Sequence, residues 1–250
     1  MRRFLLAALI ATPGFAQEKA PAGPRITAIV PLEVVPGTAV TLRLRGLKLV
    51  DTSALEFPDA ASRPIVEIKE KKKADLPNGL EAKDAGDTQV EVQLTVPADW
   101  QPGTVSFRVI TGSESTPVCK LHIVEAAALV EEKEPNGSFR EAQPIDFGKI
   151  VRGAIKEDKD VDVFKFTGHA KTRIRAGIVA AQHASLLDST LNLYDAAGHL
   201  LATNDDGAIG RDSLLEFSIP AEGTYFLSVT DASDRGGPWS AYELNLKELP

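Results

Sequence analysis

Two acidic stretches about twenty residues apart have the residue types and spacing to do chemistry. The first is Glu132-Lys-Glu134-Pro-Asn136-Gly137 and the second is Asp158-Lys-Asp160-Val-Asp162. Extended segments alternate their side chains between faces with period two. Glu132, Glu134 and Asn136 therefore project to one side of the first stretch, and Asp158, Asp160 and Asp162 to one side of the second. Neighbouring carboxylates disfavour each other's ionised form, so two such edges brought together need a cation between them. An all-oxygen set with no His or Cys suits a hard ion, and Ca²⁺ accepts about 6–8 oxygens in flexible geometry. The alternative reading is a pair of solvated turns, because Asp, Asn, Pro and Gly are also turn formers.

A second, weaker candidate is Asn204-Asp205-Asp206-Gly207, which could coordinate a cation together with Asp188 or Asp212. The favoured reading here is a hairpin whose Asp206-Gly207 supplies the positive-φ residue. An EF-hand is excluded. Asp158, Asp160 and Asp162 have the opening spacing, but Val163 replaces the required Gly and His169 stands where the bidentate Glu belongs.

The parts of a hydrolase are missing from the sequence. There is no Gly-x-Ser-x-Gly, and His122, His169, His183 and His199 are scattered singly, which excludes His-Glu-x-x-His. His122 falls on the outward parity of its strand and His199 leaves a turn at Gly198, so both read as ordinary surface or turn histidines. Cys119 shares parity with Leu121 and Ile123 and belongs to the core, where a thiol has a raised pKa and low reactivity. Trp100 and Trp239 are the only tryptophans, a poor supply for an extended sugar-stacking platform. Paired carboxylates for glycoside hydrolysis are not decided by spacing alone. The expectation is a protein without enzyme activity of its own.

The elements that position these residues are strands. From Arg25 onward Val40, Leu42 and Leu44 alternate with polar residues, as do Val90, Val92 and Leu94, then Val105, Phe107 and Val109, then Cys119, Leu121 and Ile123. In the second half Phe164 and Phe166, Leu191 and Leu193, and Leu215, Phe217 and Ile219 share faces. So do Tyr225, Leu227 and Val229, and Tyr242, Leu244 and Leu246. Turns at Pro36-Gly37, Pro102-Gly103, Gly198, Gly207, Gly223 and Gly236-Gly237-Pro238 punctuate them. Short strands at this spacing give an all-β chain of two β-sandwich domains. Lys69-Glu-Lys-Lys-Lys73 reads as a solvated hairpin edge, where lysine discourages edge pairing.

The chain is 250 residues with 25% charged and 43% apolar residues, a globular composition with room for two domains. Residues 1–16 read as a cleaved signal peptide: Arg2-Arg3, an apolar run from Phe4 to Ala11, and Gly14-Phe15-Ala16 before Gln17. The apolar run is too short to span a membrane. Residues 17–24 form a linker, 25–125 the first sandwich, 126–131 a second linker, and 132–250 the second sandwich. Net charge is −7. Without Arg2 and Arg3, 26 Lys and Arg face 35 Asp and Glu, about −9. Such a balance with no concentrated basic face argues against nucleic acid as partner. One cysteine excludes an intramolecular disulfide.

Glu134-Pro-Asn136-Gly137-Ser138, Val151-Arg-Gly153-Ala-Ile155 and Asp160-Val-Asp162-Val-Phe164-Lys-Phe166 resemble the start of a bacterial pre-peptidase C-terminal (PPC) domain. The pattern continues through Leu187-Asp188, Leu193-Tyr194-Asp195, Asn204-Asp205-Asp206 and Gly223-Thr224-Tyr225-Phe226-Leu227-Ser228-Val229 to Tyr242-Glu243-Leu244, covering about 132–248. The resemblance implies a jelly-roll-like β-sandwich of the kind appended to secreted proteases. It also implies a Ca²⁺ site, as in collagen-binding relatives, on Glu132, Glu134 and Asn136, with Asp158, Asp160 and Asp162 from the following strand. It departs at Gly137, where the calcium-binding relatives carry a further acidic residue. The first half is similar to immunoglobulin-like IPT/TIG domains on Pro24-Arg-Ile26-Thr-Ala-Ile29-Val-Pro31, Pro36-Gly37, Gly46-Leu47, Val96-Pro97-Ala98-Asp99 and Pro102-Gly103-Thr-Val105. The expectation is an exported protein, periplasmic or extracellular, that binds an extracellular protein or polysaccharide or assembles at the cell envelope. The alternative is an accessory or targeting subunit of a separately encoded secreted protease.

Overall fold

The structure is a computed structural model and describes residues 23–77, 79–207 and 210–250. The expected signal peptide and most of the expected first linker lie outside the described residues.

The period-two alternation is realised as strands throughout. The first half contains β1 (Arg25–Val30), β2 (Glu33–Val34), β3 (Ala39–Leu47), β4 (Thr52–Glu56), β5 (Ile65–Lys73), β6 (Thr88–Thr95), β7 (Gly103–Thr111), β8 (Glu114–Ser115) and β9 (Cys119–Ile123). They form two sheets, β1-β3-β6-β5 and β2-β9-β7-β4, with β8 on β7. A four-residue helical turn, α1 (Ala82–Ala85), precedes β6. Val90, Val92 and Leu94, with their sheet neighbours Leu42 and Leu44, meet Phe107, Val109 and Leu121 of the other sheet in one buried cluster. Each fully buried side chain of this kind contributes about 1.5–3 kcal/mol. The lysine run lies on β5, an edge strand exposed along most of its length.

The second half contains β10 (Leu129–Glu131), β11 (Gln143–Pro144), β12 (Ile150–Ala154), β13 (Asp162–Gly168), β14 (Arg173–Val179), β15 (Ser189–Tyr194), β16 (Leu200–Asn204), β17 (Leu214–Ser218), β18 (Gly223–Asp231) and β19 (Ala241–Leu249). The sheets run β10-β12-β19-β14-β17 and β11-β13-β18-β15-β16. The side chains predicted to share faces meet in one core, including Phe164, Phe166, Leu191, Leu193, Leu227 and Leu244. The segment before β11 covers the outer face of the second sheet. Phe139 stacks on Phe226 at 4.6 Å between centroids and meets Tyr194 at 5.2 Å.

The two sandwiches meet through polar side chains that the alternation placed outward. Arg152 on β12 pairs with the buried Glu33 on β2. His122 Nδ1 lies 2.7 Å from Oε2 of the buried Glu243. The Ile29 amide donates to the Ala184 carbonyl at 2.8 Å. Arg43 and Arg45 lie over the Trp239 ring at 5.4 and 5.8 Å. His122 is therefore a joint residue, half-buried against the second sandwich, which corrects the surface reading made from its strand parity. His199 is an exposed turn residue bonded to Asp195. Cys119 packs against the first core, and burial pushes its thiol up to about 11.

Candidate functional site

The site is built at the start of the second sandwich, where β10 and β12 run parallel with Glu131 opposite Arg152. The pairing continues one step further, because the Glu132 amide donates to the Arg152 carbonyl at 2.9 Å. This fixes the Glu132 side chain over β12, where Oε2 accepts the Ala154 amide at 2.7 Å. The chain then crosses to the other sheet. The Asn136 carbonyl accepts the Val163 amide at 2.9 Å, which places residues 134–136 beside the start of β13 and its leading residue, Asp162.

Carboxylate oxygens of Glu132, Glu134 and Asp162 all lie within 4.8 Å of one another. Among the described residues this is the group of acidic or ligating side chains whose spacing suits a metal. Asp162 and Asn136 are fully buried. Asp162 Oδ2 accepts the Tyr242 hydroxyl at 2.6 Å. Asp162 Oδ1 and both polar atoms of the Asn136 amide have no hydrogen-bond partner. A buried polar atom left unpaired costs about 1–3 kcal/mol. Two buried, unpaired oxygens beside two glutamates are the donor set a hard divalent cation takes. The residues present therefore fit such an ion, and those that would hold it are Glu132, Glu134, Asn136 and Asp162.

The other predicted ligands go elsewhere. Asp160 Oδ2 accepts the Lys156 amide at 2.6 Å, closing the turn before β13, and Asp158 Oδ1 accepts the Gly236 amide at 3.1 Å. In the second acidic group, Asn204 Oδ1 accepts the Leu214 amide at 2.8 Å and ties β16 to β17. Asp205 and Asp206 are exposed, and Asp212 accepts the amides of Ala181 and Gln182. Asp188 is half-buried, and its amide donates to Asp231.

Lys156 is the residue that the sequence reading missed. Its Nζ donates to Glu132 Oε1 at 2.7 Å and to Glu134 Oε1 at 2.9 Å. Burial alone would lower the Lys156 ammonium, but the two glutamates outweigh it and hold it above its ordinary value. The bond to Lys156 in turn holds Glu134 below the usual carboxylate range. Burial pushes Glu132 up in spite of Lys156. Burial, reinforced by the Glu132 charge, pushes Asp162 up to about 8. Burial and then the Asp162 charge raise the Tyr242 phenol well above its ordinary value, so it stays a donor. Lys156 thus serves as an internal cation for the two glutamates. A divalent ion would replace that ammonium and drive a proton off Asp162, since metal ligands bind deprotonated. The signal was present in the sequence, because Lys156 shares period-two parity with Asp158, Asp160 and Asp162.

Gly153 sets the depth of the site. A Cβ at this position would lie 2.3 Å from Tyr242 Cζ and 2.7 Å from Glu132 Oε2. Gly153→Ala is expected to lose about 3 kcal/mol, the upper end of ordinary overpacking. Urea unfolding checks this, and a loss under 1 kcal/mol would show that Tyr242 and Glu132 can move aside.

Residues 160–231 match the family model described as the bacterial pre-peptidase C-terminal domain. This stretch is a PPC domain. It spans β13 to β18, so Asp162 lies inside the matched residues and Glu132 and Glu134 precede them. The chain is 36% identical over 194 residues to a probable subtilase-type serine protease of Deinococcus radiodurans, covering 59% of this chain and 26% of that protein. The chain thus spans about a quarter of the length of this curated relative. Among solved structures it is similar to the pre-peptidase C-terminal domain of a Bacillus anthracis collagenase, with 20% identity, 46% of this chain, 99% of that chain and a TM-score of 0.36. It is also similar to the secreted serine protease VesC of Vibrio cholerae, with 10% identity, 87% of this chain, 48% of that chain and a TM-score of 0.31. Among the described residues, no helix is long and apolar enough to cross a membrane.

Proposed function

We propose that this chain is an exported, non-catalytic binding protein, an immunoglobulin-like IPT/TIG-type sandwich followed by the PPC domain, stabilised by Ca²⁺. It acts in the periplasm or outside the cell, where it recognises an extracellular protein or polysaccharide or assembles at the cell envelope. The observation that carries the reading is the match of residues 160–231 to the bacterial pre-peptidase C-terminal domain. The leader-like residues 1–16 support export. The unpaired Asp162 and Asn136 oxygens beside Glu132 and Glu134 support the cation. In this reading the ion holds residues 132–136 against β13 and so braces the start of the PPC domain next to the joint.

A second reading is favoured by the Deinococcus relative, which is a probable subtilase-type protease. In that reading the chain is an accessory or targeting subunit of a separately encoded secreted protease. Pulldown from the native secretome with the tagged full chain separates the two. The first reading predicts capture of polysaccharide or an envelope protein, and the second predicts a hydrolase as the main partner. Turnover on a panel of peptide and glycoside substrates by the purified chain would contradict both.

A further inference from the structure

Each sandwich closes on a core of its own, and little apolar surface crosses between them. Among the described residues of the second half, Ala184 alone packs against the first core. Ties that do not titrate include the Ile29–Ala184 backbone bond and the contacts of Arg43 and Arg45 with the Trp239 ring. Domains move relative to each other unless their interface is large and hydrophobic. The chain passes from one sandwich to the other through residues 124–128, which gives the motion a pivot.

What holds the joint is ionisable. Two fully buried carboxylates belong to opposite sides of it, Glu33 to the first sandwich and Glu243 to the second. Arg152 pairs with Glu33 and shares its guanidinium with Glu131 at 3.0 Å. Glu243 has the His122 ring on Oε2 and no partner on Oε1. Lys247 is exposed at the edge of the group. His183, with Asp212 behind it, lies beside the His122 ring, and burial lowers it, so it brings no proton of its own. With Glu33 protonated and His122 charged, Arg152 and His122 match Glu243 and Glu131. With both protons gone, three carboxylates crowd one guanidinium. Breaking the match in a buried site is costly, and parting the sandwiches puts Glu33 and Glu243 into water on separate bodies.

We propose that the joint is a pH-operated hinge: the sandwiches are held together in acid and swing apart on residues 124–128 in mildly alkaline solution, each keeping its own core. Burial pushes Glu33 up to about 7, against Arg152 and with the help of the Glu243 charge. The bond to Glu243 raises His122, outweighing burial. Both groups therefore hold their protons more firmly in the closed joint than in the open one. Raising the pH removes the form that favours closure. Opening also uncovers Trp239, which is 5% exposed in the closed joint. The hinge holds whatever the chain binds and does not rest on the binding-protein reading.

Small-angle scattering of the full chain in chelator, titrated from acid to mildly alkaline pH, tests the proposal, with far-ultraviolet circular dichroism on the same samples. The radius of gyration is expected to rise with a midpoint near the Glu33 value of about 7, while the strand signal stays constant. Acrylamide quenching of a Trp100→Phe chain, which reports Trp239 alone, is expected to rise over the same interval. A Glu33→Gln/Glu243→Gln chain carries neutral side chains of the same shape at both positions. It is expected to keep the acid profile and the low quenching at every pH of the titration. Scattering profiles that superimpose across the titration overturn the hinge. Expansion accompanied by loss of the strand signal overturns it too, since the cores would then be melting. A double variant that opens as the wild type does overturns the assignment of the switch to the carboxylates at the joint.

Discussion

Adding Ca²⁺ at about a hundred times its dissociation constant is expected to raise the unfolding temperature by about 5–10 °C over the chelated protein. An ion bound by the folded state alone contributes about 2.7 kcal/mol at that excess. For a chain of this size each kcal/mol moves the midpoint by about 2–4 °C. Glu134→Ala is expected to remove most of the rise, because Glu134 is a partly exposed ligand whose loss leaves the buried ones in place. Asp205→Ala, in the exposed second group, is expected to leave it unchanged. Lys156→Gln separates this account from a site that merely likes its own lysine. Without the ammonium, the chelated protein is expected to be less stable by about 1 kcal/mol, as for a partly exposed ion pair. Its Ca²⁺ affinity is expected to be about tenfold higher, since nothing must be displaced. If Lys156→Gln weakened calcium binding, the ammonium would be a support of the site and not a competitor for it. Differential scanning calorimetry with calcium and with chelator reads all four proteins.

The second large effect lies at the joint. Removing one partner of a buried ion pair leaves an uncompensated charge, at a cost of about 3–5 kcal/mol. Arg152→Ala is expected to reach the lower end of that range at pH 8 and to cost much less at pH 5. The reason is Glu33, whose carboxyl burial pushes up to about 7, against Arg152 and with the help of the Glu243 charge. A folded value above the unfolded one means that the protonated form is favoured by folding. The associated stability is complete below the ordinary glutamate value of 4.5 and is lost as pH rises through about 7. His122 adds in the same direction. Its bond to Glu243 raises it above its ordinary value, outweighing burial, so its contribution is complete below 6.5 and fades above. The charges facing these groups are Arg152, Glu131, Glu243 and Lys247, with His183 beside the His122 ring. The wild type should therefore lose stability between pH 5 and pH 8, and Arg152→Ala should lose more over the same interval. Urea unfolding at the two pH values checks both statements. An Arg152→Ala penalty equal at pH 5 and pH 8 would mean that Glu33 is not the group left stranded. A Glu33→Gln/Arg152→Met chain is expected to regain most of the loss at pH 8.

The cores were legible in the sequence because burial on one face is all that a period-two pattern encodes. Leu191 and Leu193, or Tyr225 and Leu227, face inward whatever the rest of the chain does. The meeting of Glu132, Glu134 and Asp162 was suggested by the period-two acidic spacing and by the PPC resemblance, although β11 and β12 lie between the two stretches. Outward parity carries less information, since it says only that a residue leaves its local core. Arg45, Glu33 and His122 all leave the first core and are then covered by the second sandwich, by Trp239, Arg152 and Glu243 respectively. Their partners are more than a hundred residues away, and no local pattern links them. Asp158 and Asp160 do not join the cluster because each accepts a backbone amide instead, Asp160 from Lys156 in its own turn and Asp158 from the distant Gly236. The same parity that marked them as ligands also marked Lys156, whose charge decides what the two glutamates do in the absence of a divalent ion.

The most direct measurement is a crystal structure of the chain grown in calcium, compared with one grown in chelator. The account predicts an ion within about 2.3–2.6 Å of oxygens from Glu132, Glu134, Asn136 and Asp162, with the Lys156 ammonium swung away from both glutamates. Lys156 still bridging Glu132 and Glu134 in calcium, with Asp162 Oδ1 and the Asn136 amide bonded to ordered water, would contradict it.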